Sequence, residues 1–239
     1  MAQKKPSLET LLNNSKGKSL LFLGKEEIFT KDEIQHFANS NDTLTLLYLA
    51  SNRKIDQQIF EILLNKEFEI VHELLRVQDI NIDRLKEIEK KNFDEELFAV
   101  LGANRYLSNE VLSILLQSQN RTLISYLSAN EQLSIEELEA IYERGIEESY
   151  IFLASNPSLP TKLLKELYEQ YKDQKEILIS LSLNSSTPQT ILRELFEKNS
   201  LELNRSLATN ASLPMELLNI LKVDTRLQNE LAENPVFVK

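Results

Sequence analysis

A leucine-led segment returns every 26 residues along this chain. The anchors are Leu23, Leu49, Leu75, Leu101, Leu127, Leu153, Leu181 and Leu207, with a partial copy begun at Leu231. The step widens to 28 after Leu153 and narrows to 24 after Leu207. A fixed period in this range is the mark of stacked supersecondary units and overrides any segment-by-segment reading. Each unit buries its apolar face against its neighbours, so the core grows with repeat number and no separate globular core is required.

Two columns show what the period preserves. The third residue after each anchor reads Glu26, Asn52, Gln78, Asn104, Asn130, Asn156, Asn184, Asn210 and Asn234, asparagine in seven of nine places. Asparagine tolerates left-handed backbone and can hydrogen-bond its own turn, which suits the end of a short helix. Stacked in successive repeats, these amides can also bond neighbouring backbone, at about 1 kcal/mol net each. They are therefore expected to be buried. The residue just after the anchor is Gly, Ala or Ser everywhere except at Arg76, as close helix packing requires.

Each repeat follows one plan. A short first helix carries apolar residues at the anchor and three or four places before it, as in Leu97, Phe98 and Leu101. A turn follows, ending on Ile55, Leu107, Leu133, Leu159 or Leu213. The next place reads Thr30, Asp56, Ser108, Ser134, Pro160, Pro188 and Pro214. Those are N-cap residues, or prolines suited to a first turn, so a second helix starts there. Thr30 with Glu33 and Ser134 with Glu137 have capping-box spacing. The 28-residue step implies a longer second helix or wider loop near Tyr168–Lys175. At Leu75 the second helix fits only with a one-residue shift, to Leu85 and Ile88. There Arg76 must push helices apart or reach solvent at the array's edge, and a local change of superhelical curvature is expected between residues 70 and 95.

The run Leu153-Ala154-x-Asn156-Pro157-x-Leu159-Pro160-x-x-Leu163-Leu164-x-x-Leu167 resembles the leucine-rich repeat variant family. It recurs from Leu207 to Leu221, begins again at Leu231, and persists more loosely, in phase, back to Leu23. The resemblance implies a right-handed superhelix of alternating α and 3₁₀-like helices. The family's repeat is nearer 24 residues, so paired α-helices of the HEAT type are expected here. Its founding member holds a cysteine-ligated iron–sulfur cluster, for which this chain has no ligands. The expected fold is thus all-α: a right-handed α-solenoid of about eight two-helix repeats over residues 19–239, preceded by a polar tail or cap at 1–18.

Composition narrows the chemistry. With no cysteine there are no disulfides and no thiolate metal sites. The start of the chain lacks the apolar run of a signal peptide, and no run is long enough to span a bilayer, so a cytoplasmic protein is expected. Net charge is −10, and the 27 basic residues are scattered, which disfavours nucleic acid. His72-Glu73-Leu74-Leu75-Arg76 misses the zinc-protease motif by its second histidine. Gly17-Lys18-Ser19 lacks the first glycine of a phosphate loop, Leu12 standing in its place. Glu95-Glu96, Glu136-Glu137 and Glu147-Glu148 lie at helix starts or in loops, where they complement the helix dipole. No cofactor and no catalytic set is expected, and the chain does not read as an enzyme.

Turn residues vary where the framework does not. Arg53, Lys54, Arg105, Tyr106, Glu131 and Gln132 are the candidate partner-binding positions, Arg53 and Arg105 in one column, Lys54 and Tyr106 in the next. The expectation is a monomeric, non-catalytic scaffold or adaptor that binds another protein on its curved surface. The competing expectation is a nucleic-acid-binding or DNA-repair repeat protein, which requires Arg53, Lys54, Arg105 and Arg121 on one strip. Val236, Phe237 and Val238 are expected to fold back over Leu217, Leu218 and Leu221 as a lid.

Overall fold

The computed structural model describes residues 30–91 and 94–237. The 1–18 tail, Gly17-Lys18-Ser19, the Leu23 anchor, the Glu33 side chain of the first capping box and Val238 of the lid lie outside the described residues. Every regular element described is helical: sixteen α-helices, one 3₁₀ turn at Thr225–Leu227 and a single isolated β-bridge. None of these helices is long and apolar enough to cross a membrane.

Two compact units divide the chain, residues 1–123 and 124–239, with the boundary inside α8 (Arg121–Leu127). The first unit contains α1 (Lys31–Ala38), α2 (Thr43–Ala50), α3 (Gln57–Leu63), α4 (Phe68–Val77), α5 (Ile82–Glu89), α6 (Glu95–Gly102) and α7 (Asn109–Leu115). The second contains α9 (Ile135–Glu143), α10 (Ser149–Ser155), α11 (Thr161–Gln170), α12 (Lys175–Leu183), α13 (Gln189–Glu197), α14 (Leu201–Thr209), α15 (Met215–Leu221) and α16 (Gln228–Glu233).

The 26-residue period maps onto neighbours in space. In the first unit α2 packs on α4 and α4 on α6; in the second α10 packs on α12, α12 on α14 and α14 on α16. Anchor leucines Leu49, Leu75, Leu153, Leu181 and Leu207 are fully buried at these contacts. The small residues that follow, Ala50, Ala154, Ser182 and Ala208, are buried too, because helix axes this close leave no room for a longer side chain. Arg76 takes the second of its expected options: its side chain is 58% exposed and ion-pairs with Glu73 one turn back.

The start of each second helix is built by its cap. Asp56, Ser108 and Ser134 each accept a hydrogen bond from the amide three residues on, and Ser134 and Glu137 complete the capping box. Pro160, Pro188 and Pro214 occupy this same N-cap place with extended ψ of 139°, 139° and 134°, one residue earlier than the first-turn position expected. A proline there forgoes the side-chain bond but presets φ. The repeat with the 28-residue step has the longest second helix, α11, ten residues against nine in α9 and α13 and seven in α3 and α15. Both helices of a repeat are α, so the 3₁₀ alternation that the family resemblance implies appears only at Thr225–Leu227 among the described residues.

The asparagine column is buried, as its spacing suggests, but not through left-handed backbone. Asn156, Asn184 and Asn210 are extended, with φ near −73° and ψ near 118°. The left-handed asparagine is Asn199, past the end of α13, where Gly145 does the same after α9. What the column does instead is link repeats. Each Nδ2 donates to two carbonyls of the preceding repeat: Asn156 to Ser128 and Asn130, Asn184 to Ala154 and Asn156, Asn210 to Ser182 and Asn184, Asn234 to Ala208 and Asn210, at 2.7–3.1 Å. Asn104 reaches Leu75 and Gln78 in the first unit. Each Oδ1 accepts from the amide two residues on within its own turn, as at Ser158, Ser186 and Ser212. The receiving carbonyls belong to the end of a first helix, where intrahelical donors run out. One amide therefore closes its own turn and caps the helix before it.

The tail follows the lid expectation only in part. The Phe237 ring lies against the Lys222 ammonium at 3.8 Å, at the C-cap of α15, while Val236 stays 40% exposed.

Replacing Asn184 by Ala removes the side-chain donor to the Ala154 and Asn156 carbonyls, the second of which keeps the Leu159 N–H, and the acceptor for Ser186 N–H. Unfolding in urea should show a loss of about 1–3 kcal/mol. Exposed Ser185→Ala, in the same turn, should change it by less than about 0.5 kcal/mol.

Candidate partner-binding surface

The turns between first and second helices present the variable residues. In the turn after α2, Asn52 Oδ1 accepts from Lys54 N–H, which fixes the loop and turns Arg53 and Lys54 outward, both exposed. The turn after α6 repeats this with Asn104 and Tyr106 N–H, exposing Arg105 and Tyr106. Glu131 and Gln132 are exposed on the equivalent turn of the second unit, where Asn130 Oδ1 accepts from Gln132 N–H.

The structure brings part of the first-unit set together. The Arg53 guanidinium stacks on the Tyr106 ring, 3.9 Å from its centroid, and its Nη2 donates to Asp79 at 2.6 Å. Residues from three successive turns thus meet. Around them Ser51, Arg76, Val77, Ala103 and Arg105 complete an open recess of about 450 Å³. Arg76 enters it from the column of small residues, held by Glu73 through Nε and Nη2, both at 2.9 Å. Hydrogen bonding to that carboxylate raises its pKa above the ordinary arginine value. Glu73 also accepts from Ser51 Oγ at 2.8 Å. Exposed ion pairs of this kind contribute about 0–1 kcal/mol, and an exposed cation–π contact about 0.5–1 kcal/mol. They orient the arginines without adding much stability.

Sequence reasoning passed over Asp79 and Arg84, both products of the irregular repeat. Its turn is one residue short, so α5 is capped by Asn81, and Arg84 takes the place filled by Ile59 in α3 and Val111 in α7. Ile80 pairs in parallel with Leu107, giving its N–H to Tyr106 carbonyl and accepting from Ser108 N–H, both at 2.9 Å. The amide that would satisfy Gln78 is thereby taken. Gln78 Nε2 still donates to Ala50 and Asn52 carbonyls, but its Oε1 accepts from buried Arg84 instead, at 3.1 Å. Arg84 also donates to the Asp79 and Ile55 carbonyls at 2.8 and 2.7 Å and lies over the Phe60 ring. Burial lowers its pKa, yet arginine stays charged throughout the accessible range. The shifted Leu85 and Ile88 were legible in the pattern; the buried guanidinium of Arg84 just before them was not.

The remaining candidates stay apart. His36 is on α1 and His72 on α4, the latter beside Phe68 with ring centroids 5.9 Å apart. Glu95 and Glu96 open α6, and Glu136 and Glu137 open α9, in the first turns where the dipole favours them.

No family model, curated protein or solved structure matches the chain.

Arg84→Ala leaves Gln78 Oε1 and the Ile55 carbonyl without a buried donor and opens space against Phe60. Stability should fall by about 3 kcal/mol in chemical denaturation. Arg76→Ala should change it by less than about 1 kcal/mol, since alanine is that column's ordinary resident.

Proposed function

We propose that the chain is a right-handed helical-repeat solenoid of about eight two-helix repeats, of the leucine-rich repeat variant kind. In this reading it is a non-catalytic scaffold that binds another protein on its curved surface through the turns. The observation that carries the reading is the Arg53–Tyr106 stack at 3.9 Å. Residues in adjacent columns, two repeats apart in sequence, meet at one surface on a framework whose buried side-chain amides are consumed in holding repeats together. Arginine and tyrosine are the side chains that concentrate binding energy at protein interfaces. The buried amide column supports the repeat architecture independently, since its bonds run from each repeat to the one before.

The test is affinity capture from the native cell followed by quantitative binding to the captured protein. The double variant Arg105→Glu/Tyr106→Ala should weaken that binding at least tenfold while its melting temperature stays within about 3 °C of wild type. Lys162→Glu, on the outer face of α11, should leave binding unchanged. Tight binding to a random-sequence duplex that falls steeply with salt, with no effect of the turn variant on captured protein, would reverse the conclusion in favour of nucleic acid.

A further inference from the structure

We propose that the recess of the first unit is a docking site for an acidic protein segment, whose carboxylates are taken by Arg53, Arg76 and Arg105 beside Tyr106. The inference rests on the scaffold reading and gives the partner its chemistry. Three arginines from three successive repeats, Arg53 and Arg105 from turns and Arg76 from the last turn of α4, line one opening of about 450 Å³, in a chain whose net charge is −10. Two contributions are regular, Arg53 and Arg105 in one turn column. The third is not: Arg76 stands where every other repeat has Gly, Ala or Ser. Nothing in the packing requires it, because its side chain is 58% exposed and alanine or glycine fits the place. Its position at the recess is what distinguishes it.

Geometry favours carboxylates. Glu73 and Asp79 already engage Arg76 and Arg53 there, at 2.9 and 2.6 Å, so the site displays the contact it would offer an incoming acid. Planar guanidinium forks match carboxylates in paired hydrogen bonds. Both internal pairs are exposed and weakly held, and exchange of partner is correspondingly easy. Tyr106, 40% exposed, adds an aromatic wall on which the segment's apolar atoms can rest. A nucleic-acid backbone fits less well. Three arginines are gathered at one small opening, whereas a phosphate strand calls for a long track of cations.

Fluorescence anisotropy decides the matter with three probes on the full chain: labelled deca-glutamate, a labelled ten-nucleotide single strand, and inorganic phosphate as competitor. Deca-glutamate should bind, and Arg76→Ala should weaken it about tenfold, as should Arg105→Ala. Melting temperatures should stay close to wild type. Lys162→Ala, away from the recess, should change nothing. Absence of deca-glutamate binding, or binding indifferent to Arg76→Ala, overturns the inference. Tighter binding of the oligonucleotide overturns it in favour of nucleic acid. Displacement by millimolar phosphate as effective as by unlabelled peptide reduces the site to a simple anion sink and overturns it too. The scaffold reading is tested separately by the captured partner, which an Arg105→Glu/Tyr106→Ala chain loses whether or not deca-glutamate binds.

Discussion

Everything in the structure depends on how the last carbonyls of a short helix are satisfied. A first helix of seven to ten residues leaves a large share of its carbonyls without an intrahelical donor. Packed against the next repeat, those carbonyls are shielded from water, and an unpaired one costs about 1–3 kcal/mol. The side-chain amide of the following repeat removes that penalty. It does so only if the two repeats are in register, so the bond that relieves the helix end also fixes the stacking. Leucine burial, at about 1.5–3 kcal/mol per side chain, supplies more energy but little direction. The amides supply the direction.

The irregular repeat shows how strict this requirement is. Shortening the turn by one residue shifts α5 and diverts the Ile80 amide to Tyr106. The column position then carries glutamine, one methylene longer, and still reaches the Ala50 and Asn52 carbonyls. Its oxygen has lost its usual donor, and a buried arginine replaces that donor from the next helix. Three departures in sequence are thus one local solution, and the Ala50 and Asn52 carbonyls keep their side-chain donor throughout it.

The repeat plan was legible because it is periodic: anchors, small residues, N-caps and the amide column each recur at fixed spacing, and each recurs for a single physical reason. Periodicity is silent where a residue acts alone. Arg84 sits in a place otherwise held by Ile59 and Val111, and its charge argued against burial until its acceptors Gln78, Asp79 and Ile55 were placed around it. Asp79 offered no signal either, since its pairing with Arg53 depends on a turn one residue shorter than its neighbours. The candidate surface was half visible. Arg53 and Tyr106 could be named as exposed turn residues, but their meeting depends on the spacing between repeats, and the contribution of Arg76 to the same recess depends on where its side chain leaves the helix.

The bonds donated by Gln78, Asn104, Asn156, Asn184, Asn210 and Asn234 all run one way, from each turn to the repeat before it, and none of them goes to a second helix. The second helix is therefore the part of the repeat whose length is unconstrained: α3 has seven residues, α9 nine and α11 ten, and the turn that follows finds its place regardless. Insertions accumulate harmlessly on that side, while the turn side is held to one residue. A whole repeat cut out or duplicated between equivalent points of two second helices leaves every donor facing a proper acceptor. Repeat number can thus change by recombination in units of one, without any of the remaining parts having to be redesigned.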